Sequence, residues 1–594
     1  DALQQALAMQ IQASNALIAL LSGGMLGAQP PNLQPQAALP AVQTPAASTA
    51  TTTAPSSAPA ASSSNNEDGD EQAFEAKGFG PYRPLDMGRG GLDDRARDEL
   101  NKFIEAYSER TVKSKQLANE QRAHLSDARS ISGFRQDWKE MVYQIAGAGS
   151  KGTSIWDIDG NEYIDFTSGF GSNIIGYTPE PVVEAIKQQA EAGFELGTLS
   201  PKASEAAKII CDITGMDRVT FTNTGSESLT AACRSARTIT GKDRIAVFLN
   251  EYHGIADELL VNLQKLKNGK SRTVPTSPGI PQFLVENVLV LEWDDPHYMD
   301  KLREQADEIA GIIIEPVQSR NPGFHTHQYF KEMREFTLDN NIALIFDEMI
   351  TGFRLAPGGA QEYFDIEVDM ACYGKIVSSG TSLSVLAGRG EYLDCFDGGP
   401  WQFGDSSFPE AGVTFFGGTY TRHPLALAAT LAGLKMLQEL TTEDYQRLNE
   451  RSAQLNNELN EVLIAAGFPA RFESQSSILE LEFNDDNPFS RLFFYYMRHQ
   501  GIMIYDRPIF IQLTHTEAEL QKLVEAVATT VDQLQSSGIV PAVTIDNYYG
   551  GSQEVAFTEA QQEIWLTSLL GDEASRAYNE QVIYEMDTTL NIYA

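Results

Sequence analysis

Between Gly152 and Lys375 the chain alternates short apolar runs with stretches of helical periodicity, and this alternation constrains the fold more than any other feature. The apolar runs are SIWDI (154–158), RVTFTN (218–223), IAVFL (245–249), NVLVLEW (287–293), GIIIEP (311–316), IALIFDE (342–348) and DMACYG (369–374). Helical periods fall at 179–193, 203–214, 226–240, 297–309 and 327–340. Strands that are apolar on both faces must be covered on both faces, so the pattern predicts a mostly parallel α/β sheet flanked by helices. From about Pro424 to Ser537 the periods lengthen and strands thin out, which predicts a smaller α+β domain.

Upstream the composition changes. No charged residue occurs from Ala2 to Asn66, and 23–66 is almost wholly Ala, Pro, Ser, Thr and Gln. Such a segment buries too little apolar surface to offset its ordering entropy. The expected organisation is an amphipathic helix at 1–22, carrying Leu3, Leu7, Ile11, Ile18 and Leu21 on one side, and a disordered linker at 23–80. A helical extension at 81–150, a large domain at 151–423 and a small domain at 424–538 follow. Residues 539–594 form a further linker and the start of another domain, with a capping-box pattern at Thr558–Gln561. Numbering from Asp1 suggests a piece excised from a longer chain.

With 81 acidic against 44 basic side chains, a net charge of -37 argues against nucleic acid or an anionic membrane surface as partner. Lys102, Arg110, Lys113, Lys115, Arg122 and Arg129 form a local basic stretch that is either a docking patch or a solvated helix face. Cys211, Cys233, Cys372 and Cys395 make no CxxC pair, and the eight histidines make no metal-binding spacing. We expect no metal site and no disulfide framework, and a cytoplasmic location by default.

Four strand-end loops carry candidate chemistry, at the place where open α/β sheets bind ligands. Thr224-Gly225-Ser226-Glu227 opens a helix after a strand and offers N–H groups and a dipole to a phosphate, or is a plain turn capped by Ser226. Tyr252, in EYHG, is either a stacking aromatic or a structural one. Asp347 ends a very apolar strand and needs a cation, such as a pyridinium or Arg354. Lys375 follows another strand among small residues, as a buried amine or a loop lysine.

The succession of phosphate loop, Tyr, IIIEPVQ, strand-end Asp and Lys resembles class III (fold type I) pyridoxal-phosphate (PLP) aminotransferases, including the glutamate-1-semialdehyde aminomutases, over roughly 130–537. The resemblance implies a seven-stranded-type sheet, PLP/PMP as cofactor and a homodimer with its sites at the interface. It implies Lys375 as the Schiff-base lysine and proton shuttle, and Asp347 as partner of the pyridine nitrogen. Tyr252 and Met349 would cover the ring faces, and Gly225 and Ser226, with Thr419 of the partner subunit, would bind the phosphate. Glu315 would lie near ring and substrate, and Phe170 would line the substrate entrance. Ile350 stands where some relatives carry a Gln, and Ser378-Ser379-Gly380 is poorer in glycine than in many relatives.

WKEMVYQI (138–145) and LDCFDGGPWQFGDSSFPEAGVTFFGGTYTRHPLALAA (from Leu393) resemble aminotransferase domains of hybrid polyketide–nonribosomal peptide synthetases. FTEAQQEIWLTSLLGDEASRAYNEQ (from Phe557) resembles the start of a condensation domain. The implied reaction moves an amino group from Glu or Gln to a β-ketoacyl thioester on an acyl carrier protein. The alternatives are a free-standing aminomutase or ω-amino-acid aminotransferase on small substrates, and a non-catalytic docking module of the same fold.

Overall fold

The computed structural model describes residues 91–266, 270–484, 486–505 and 508–543, all within one compact unit of the chain. The expected helix at 1–22, linker at 23–80 and tail beyond 543 lie outside the described residues.

A seven-stranded sheet forms the centre. Its strands are β1 (Arg218–Thr222), β2 (Arg244–Phe248), β3 (Val288–Leu291), β4 (Ile309–Ile314), β5 (Ala343–Glu348), β6 (Met370–Tyr373) and β7 (Ser384–Gly388). Their order is β1-β7-β6-β5-β4-β2-β3, and only β7 runs antiparallel to its neighbours. Each apolar run from RVTFTN onward supplies one strand. The sequence reading did not single out β7, SVLAG, because its small residues give little apolar signal.

Every residue of β4 and β5 is buried. That follows from helix cover on both faces, chiefly α1 (Gly225–Thr240) and α2 (Phe330–Asp339). The helix expected at 297–309 stops at Glu304, because Ile309 already begins β4. The Ile309–Ile314 run serves the sheet instead.

Two helices, Asp94–Arg110 and Val112–Gln121, lie within the helical extension expected at 81–150. The first is not fully exposed: Leu100, Phe103 and Tyr107 are buried, and Phe103 stacks on Tyr496 at 3.7 Å between ring centroids. A ribbon of Gly147–Lys151, Ser154–Asp157 and Glu162–Asp165 pairs with Ile502–Met503 from the far end of the chain. Beyond β7, helices α3 (Pro424–Gln438), α4 (Thr442–Ala466) and α5 (Glu517–Ser536) accompany a three-stranded antiparallel sheet, Ala470–Gln475, Ile478–Phe483 and Pro508–Phe510. Capping boxes at Thr441/Asp444 and Thr516/Glu519 start α4 and α5.

Candidate active site

Parallel strands end on the same side of a sheet. The register sets Ile313 beside Ile345, and Asp347 beside Cys372. Glu315 follows β4 by one residue, Asp347 is the penultimate residue of β5, and Lys375 follows β6 by two. The sheet therefore brings two carboxyls and one amine to the same edge, close enough to act on one another electrostatically.

Lys375 feels both Asp347 and Glu315 electrostatically. Burial lowers its pKa below the ordinary lysine range, although the two carboxyls oppose that shift. Its backbone is left-handed, with φ +49°, a strained conformation for a side-chain-bearing residue. Glu315 is raised to about 8, first by burial and then by the negative charges of Asp347 and Glu251. It accepts a hydrogen bond from Ser319 Oγ at 3.0 Å and from the Tyr252 N–H at 3.3 Å.

Asp347 finds its cation in His253, not in Arg354. His253 Nδ1 lies 2.9 Å from Asp347 Oδ2, and its Nε2 lies 3.4 Å from Glu251 Oε2. Burial works against the imidazolium, but the two carboxylates outweigh it and push His253 up to about 10. Glu251 is held in turn by Trp293 Nε1 at 3.0 Å and by the Glu315 N–H at 3.0 Å. Sequence reading passed over His253, although it adjoins Tyr252. A buried strand-end acid demands a nearby base, and that demand could have found it.

The loop before α1 is capped by Thr224, whose hydroxyl accepts from Glu227 N at 3.3 Å; Ser226 is not the cap. The Ser226 hydroxyl instead accepts from Ile255 N at 2.9 Å. The first-turn N–H groups of Gly225 and Ser226 have no intrahelical acceptor. Space here is tight. A Cβ on Gly225 would fall 2.7 Å from Met349 Sδ, and one on Gly374 would fall 2.5 Å from the same atom. Met349 thus packs between the phosphate-type loop and the lysine loop.

Phe170 has a left-handed backbone, φ +58°, and its ring lies 5.9 Å from Tyr505 in an edge contact. Thr419 is exposed, on a loop whose Gly418 passes Asn223 just before the Gly225 turn. Glu348, next to Asp347, is fully buried, accepts from Ala360 N and Thr351 Oγ1, and is raised to about 7 by burial. No His/Cys/Asp/Glu group able to hold a metal occurs among the described residues.

These residues fit PLP. A desolvated amine, a strand-end carboxylate and a helix opening on small residues suit its carbonyl, ring nitrogen and phosphate. With the strand order above, they define a PLP-dependent transferase of fold type I.

The aminotransferase class-III family profile matches residues 136–531, and the chain belongs to that family. It is 31% identical over 411 residues to a glutamate-1-semialdehyde 2,1-aminomutase of Methanosphaera stadtmanae, covering 66% of this chain and 92% of the relative. It is equally 31% identical over 423 residues to the enzyme of that name from Aquifex aeolicus, covering 68% and 95%. Among solved structures, a glutamate-1-semialdehyde aminomutase of Pseudomonas aeruginosa shares the fold at TM-score 0.64 and 19% identity, covering 75% of this chain and all of that one. An omega-transaminase of Sphaerobacter thermophilus does so at 0.63 and 24%, covering 71% and 98%. The chain is a PLP-dependent transaminase.

Proposed function

We infer that this transaminase moves an amino group from Glu or Gln to a β-ketoacyl thioester carried on an acyl carrier protein, leaving a β-aminoacyl chain. The observation that carries this reading is the likeness of the 393–429 and 557–581 stretches to synthetase aminotransferase and condensation domains.

PLP, when bound, supplies an exchangeable imine carbon and a ring that takes up negative charge. Lys375 would hold it through Nζ and, once released, carry the proton at the substrate carbon. A lowered lysine pKa supports that role, because the neutral amine is the working form. Asp347, held by His253, would face the ring nitrogen. Tyr252 and Met349 would cover the ring faces, and Gly225 and Ser226 would hold the phosphate. Glu315, near neutral charge at its raised pKa, would sit beside the substrate without repelling an anionic one. Phe170 would line the way in.

A homodimer is part of the same reading. The loop carrying Thr419 exposes Phe403 (91%), Phe415 (82%) and Phe408 (62%), large apolar side chains left open to solvent in the single chain. Pairing with a second copy would cover it and bring Thr419 of the partner subunit to the phosphate.

The second reading is an aminomutase on a small soluble substrate, favoured by the printed names of the relatives at 31% identity. Borohydride reduction of the purified, cofactor-loaded chain followed by peptide mapping tests the site; the label belongs on Lys375. Intact-mass analysis of a β-ketoacyl carrier protein incubated with the chain and glutamate or glutamine tests the substrate. Replacement of the ketone oxygen by an amine supports the proposal. Turnover of free glutamate-1-semialdehyde, with the carrier-bound chain untouched, selects the second reading.

A further inference from the structure

The turn that carries Tyr252 and His253 bends sharply at its start. Asn250 has φ +70°, a left-handed conformation that asparagine tolerates better than most residues. The next side chain, Glu251, is sealed from solvent. Burying a carboxyl group is costly unless its oxygens are met. Trp293 Nε1 donates to Oε1 at 3.0 Å, Gln318 Nε2 donates to the same oxygen at 3.3 Å, and the Glu315 N–H donates to Oε2 at 3.0 Å. Trp293 is itself stacked on Phe248, with 3.5 Å between ring centroids.

The bond from Glu315 has a counterpart. The Glu315 carboxyl accepts from the Tyr252 N–H at 3.3 Å. The loops after β2 and β4 are thus stitched by two carboxyl–amide bonds that run in opposite directions. This clasp sets Glu251 Oε2 at 3.4 Å from His253 Nε2. Across the ring, Nδ1 lies 2.9 Å from Asp347 Oδ2, while the other Asp347 oxygen accepts from the Met349 N–H at 3.2 Å.

Each nitrogen of His253 therefore faces a carboxyl oxygen. A neutral imidazole carries one N–H and one lone pair, so either neutral tautomer would set a lone pair against one of those oxygens. Only the imidazolium can donate in both directions. Nε2 is buried and has no hydrogen bond of ordinary geometry among the described residues, so Glu251 acts on it through charge. Burial disfavours the cation, and Asp347 and Glu251 together overcome that penalty. Glu315 is the third acid in electrostatic contact with this imidazole. We propose that Glu251 is a positioning residue: it keeps both nitrogens of His253 protonated, so that Nδ1 donates to Asp347 and the acid meeting the cofactor's ring nitrogen holds one orientation. This rests on the reading of Asp347 and Lys375 as the transamination site.

The test uses the PLP-loaded full chain and nitrogen NMR, with isotope-labelled histidine in one sample and a cofactor labelled at its ring nitrogen in another. In wild type, one of the eight histidines should keep both ring N–H resonances above neutral pH and titrate near 10. Glu251→Gln keeps the shape and removes the charge. Its His253 midpoint should fall by about one pH unit or more, a tenfold weaker hold on the proton. The ring-nitrogen resonance of the cofactor should shift as well. Glu251→Asp keeps the charge but withdraws it, and its midpoint should fall less. Trp293→Phe breaks the same network without removing charge; a packing role for Glu251 predicts a fall there too, whereas the proposal predicts none. Four results would each overturn the proposal: a wild type without that histidine signature, an unmoved midpoint in Glu251→Gln, an equal fall in Trp293→Phe, or a ring-nitrogen resonance that stays put. Borohydride labelling separates the two failures. A label away from Lys375 sinks the site reading, and a label on Lys375 with an unmoved His253 midpoint sinks the role of Glu251 alone.

Discussion

His253 Nδ1 stands 2.9 Å from Asp347 Oδ2, inside a protein interior that gives neither group access to water. Glu251 on the other side of the ring makes the arrangement a carboxylate–imidazolium–carboxylate row. Two buried carboxyl groups this close would repel each other as anions, and the imidazolium between them offsets that repulsion. The 2.9 Å contact also fixes the orientation of the Asp347 carboxyl from behind.

Replacing His253 by Leu is therefore expected to cost about 3–5 kcal/mol of stability, since it leaves two acids without their shared cation. The sign of the pH dependence follows from its raised value of about 10. The stabilisation is complete below the unfolded histidine value near 6.5 and fades as pH rises through 10. Denaturant melts of wild type and His253→Leu between pH 6 and 10 should converge upward in pH. Parallel curves would remove the imidazolium from the row.

Glu315 gives the opposite experiment. Its folded pKa of about 8 exceeds the ordinary glutamate value, so the folded state binds the extra proton. Its contribution to stability falls as pH rises from about 4.5 to 8, by at most about 1.4 kcal/mol per pH unit. Glu315→Gln mimics the protonated form and lacks this loss. The variant should match wild type near pH 5 and exceed it near pH 8 in chemical denaturation. A variant weaker at pH 8 than at pH 5, relative to wild type, would contradict the assignment.

The central sheet was legible because buried parallel strands such as Ile309–Ile314 and Ala343–Glu348 are apolar at every position, a signal few other structures produce. Asp347 and Lys375 stood out for the complementary reason: a charge at the end of such a run needs a partner. What stayed hidden was pairing across the chain. His253 meets Asp347 because β2 and β5 flank β4, and Arg129 meets Phe170 across 41 positions of sequence. Neither neighbour relation has a local pattern. Ser384–Gly388 escaped notice because antiparallel insertion between β6 and β1 imposes burial on residues too small to announce it.

Gly254 should tolerate no side chain. Its φ is +86°, and a Cβ would sit 2.4 Å from Ser226 Oγ and 3.0 Å from Ser226 Cα. The second contact is with backbone, so rotation of the serine cannot relieve it. Gly254→Ala is expected to cost about 1–3 kcal/mol through left-handed strain and to displace the Ser226 turn. Equilibrium dialysis of PLP should show weaker binding, while Gly241→Ala, at a helix end with open space, should leave binding intact.

Arg354 is fully buried, yet its guanidinium meets oxygens without formal charge: Gly171 O at 2.7 Å, Ser477 Oγ at 3.1 Å and Ile511 O at 3.2 Å. Burial drags it down to about 9, the direction expected of a cation lacking a carboxylate. Its positive charge also bears on Lys375 and adds to the lowering of that amine. Arg354→Met fills similar volume but strands three acceptors, which places the expected loss at about 3 kcal/mol or more at neutral pH. Because the folded value of about 9 lies below that of the unfolded guanidinium, wild type gains stability as pH rises through 9 while the variant has nothing to titrate there, so the gap should widen from pH 7 to pH 10. The variant also loses the 2.7 Å bond to the carbonyl of Gly171, beside Phe170, and with it a constraint on that turn; a gap that narrows toward pH 10 would contradict the assignment. The measurement is thermal unfolding at pH 7 and pH 10, with the spectral pKa of the PLP–Lys375 chromophore as the second readout. That pKa should rise in Arg354→Met, since a cation that repels the protonated amine has been removed; an unchanged value would show that Arg354 acts on the fold alone.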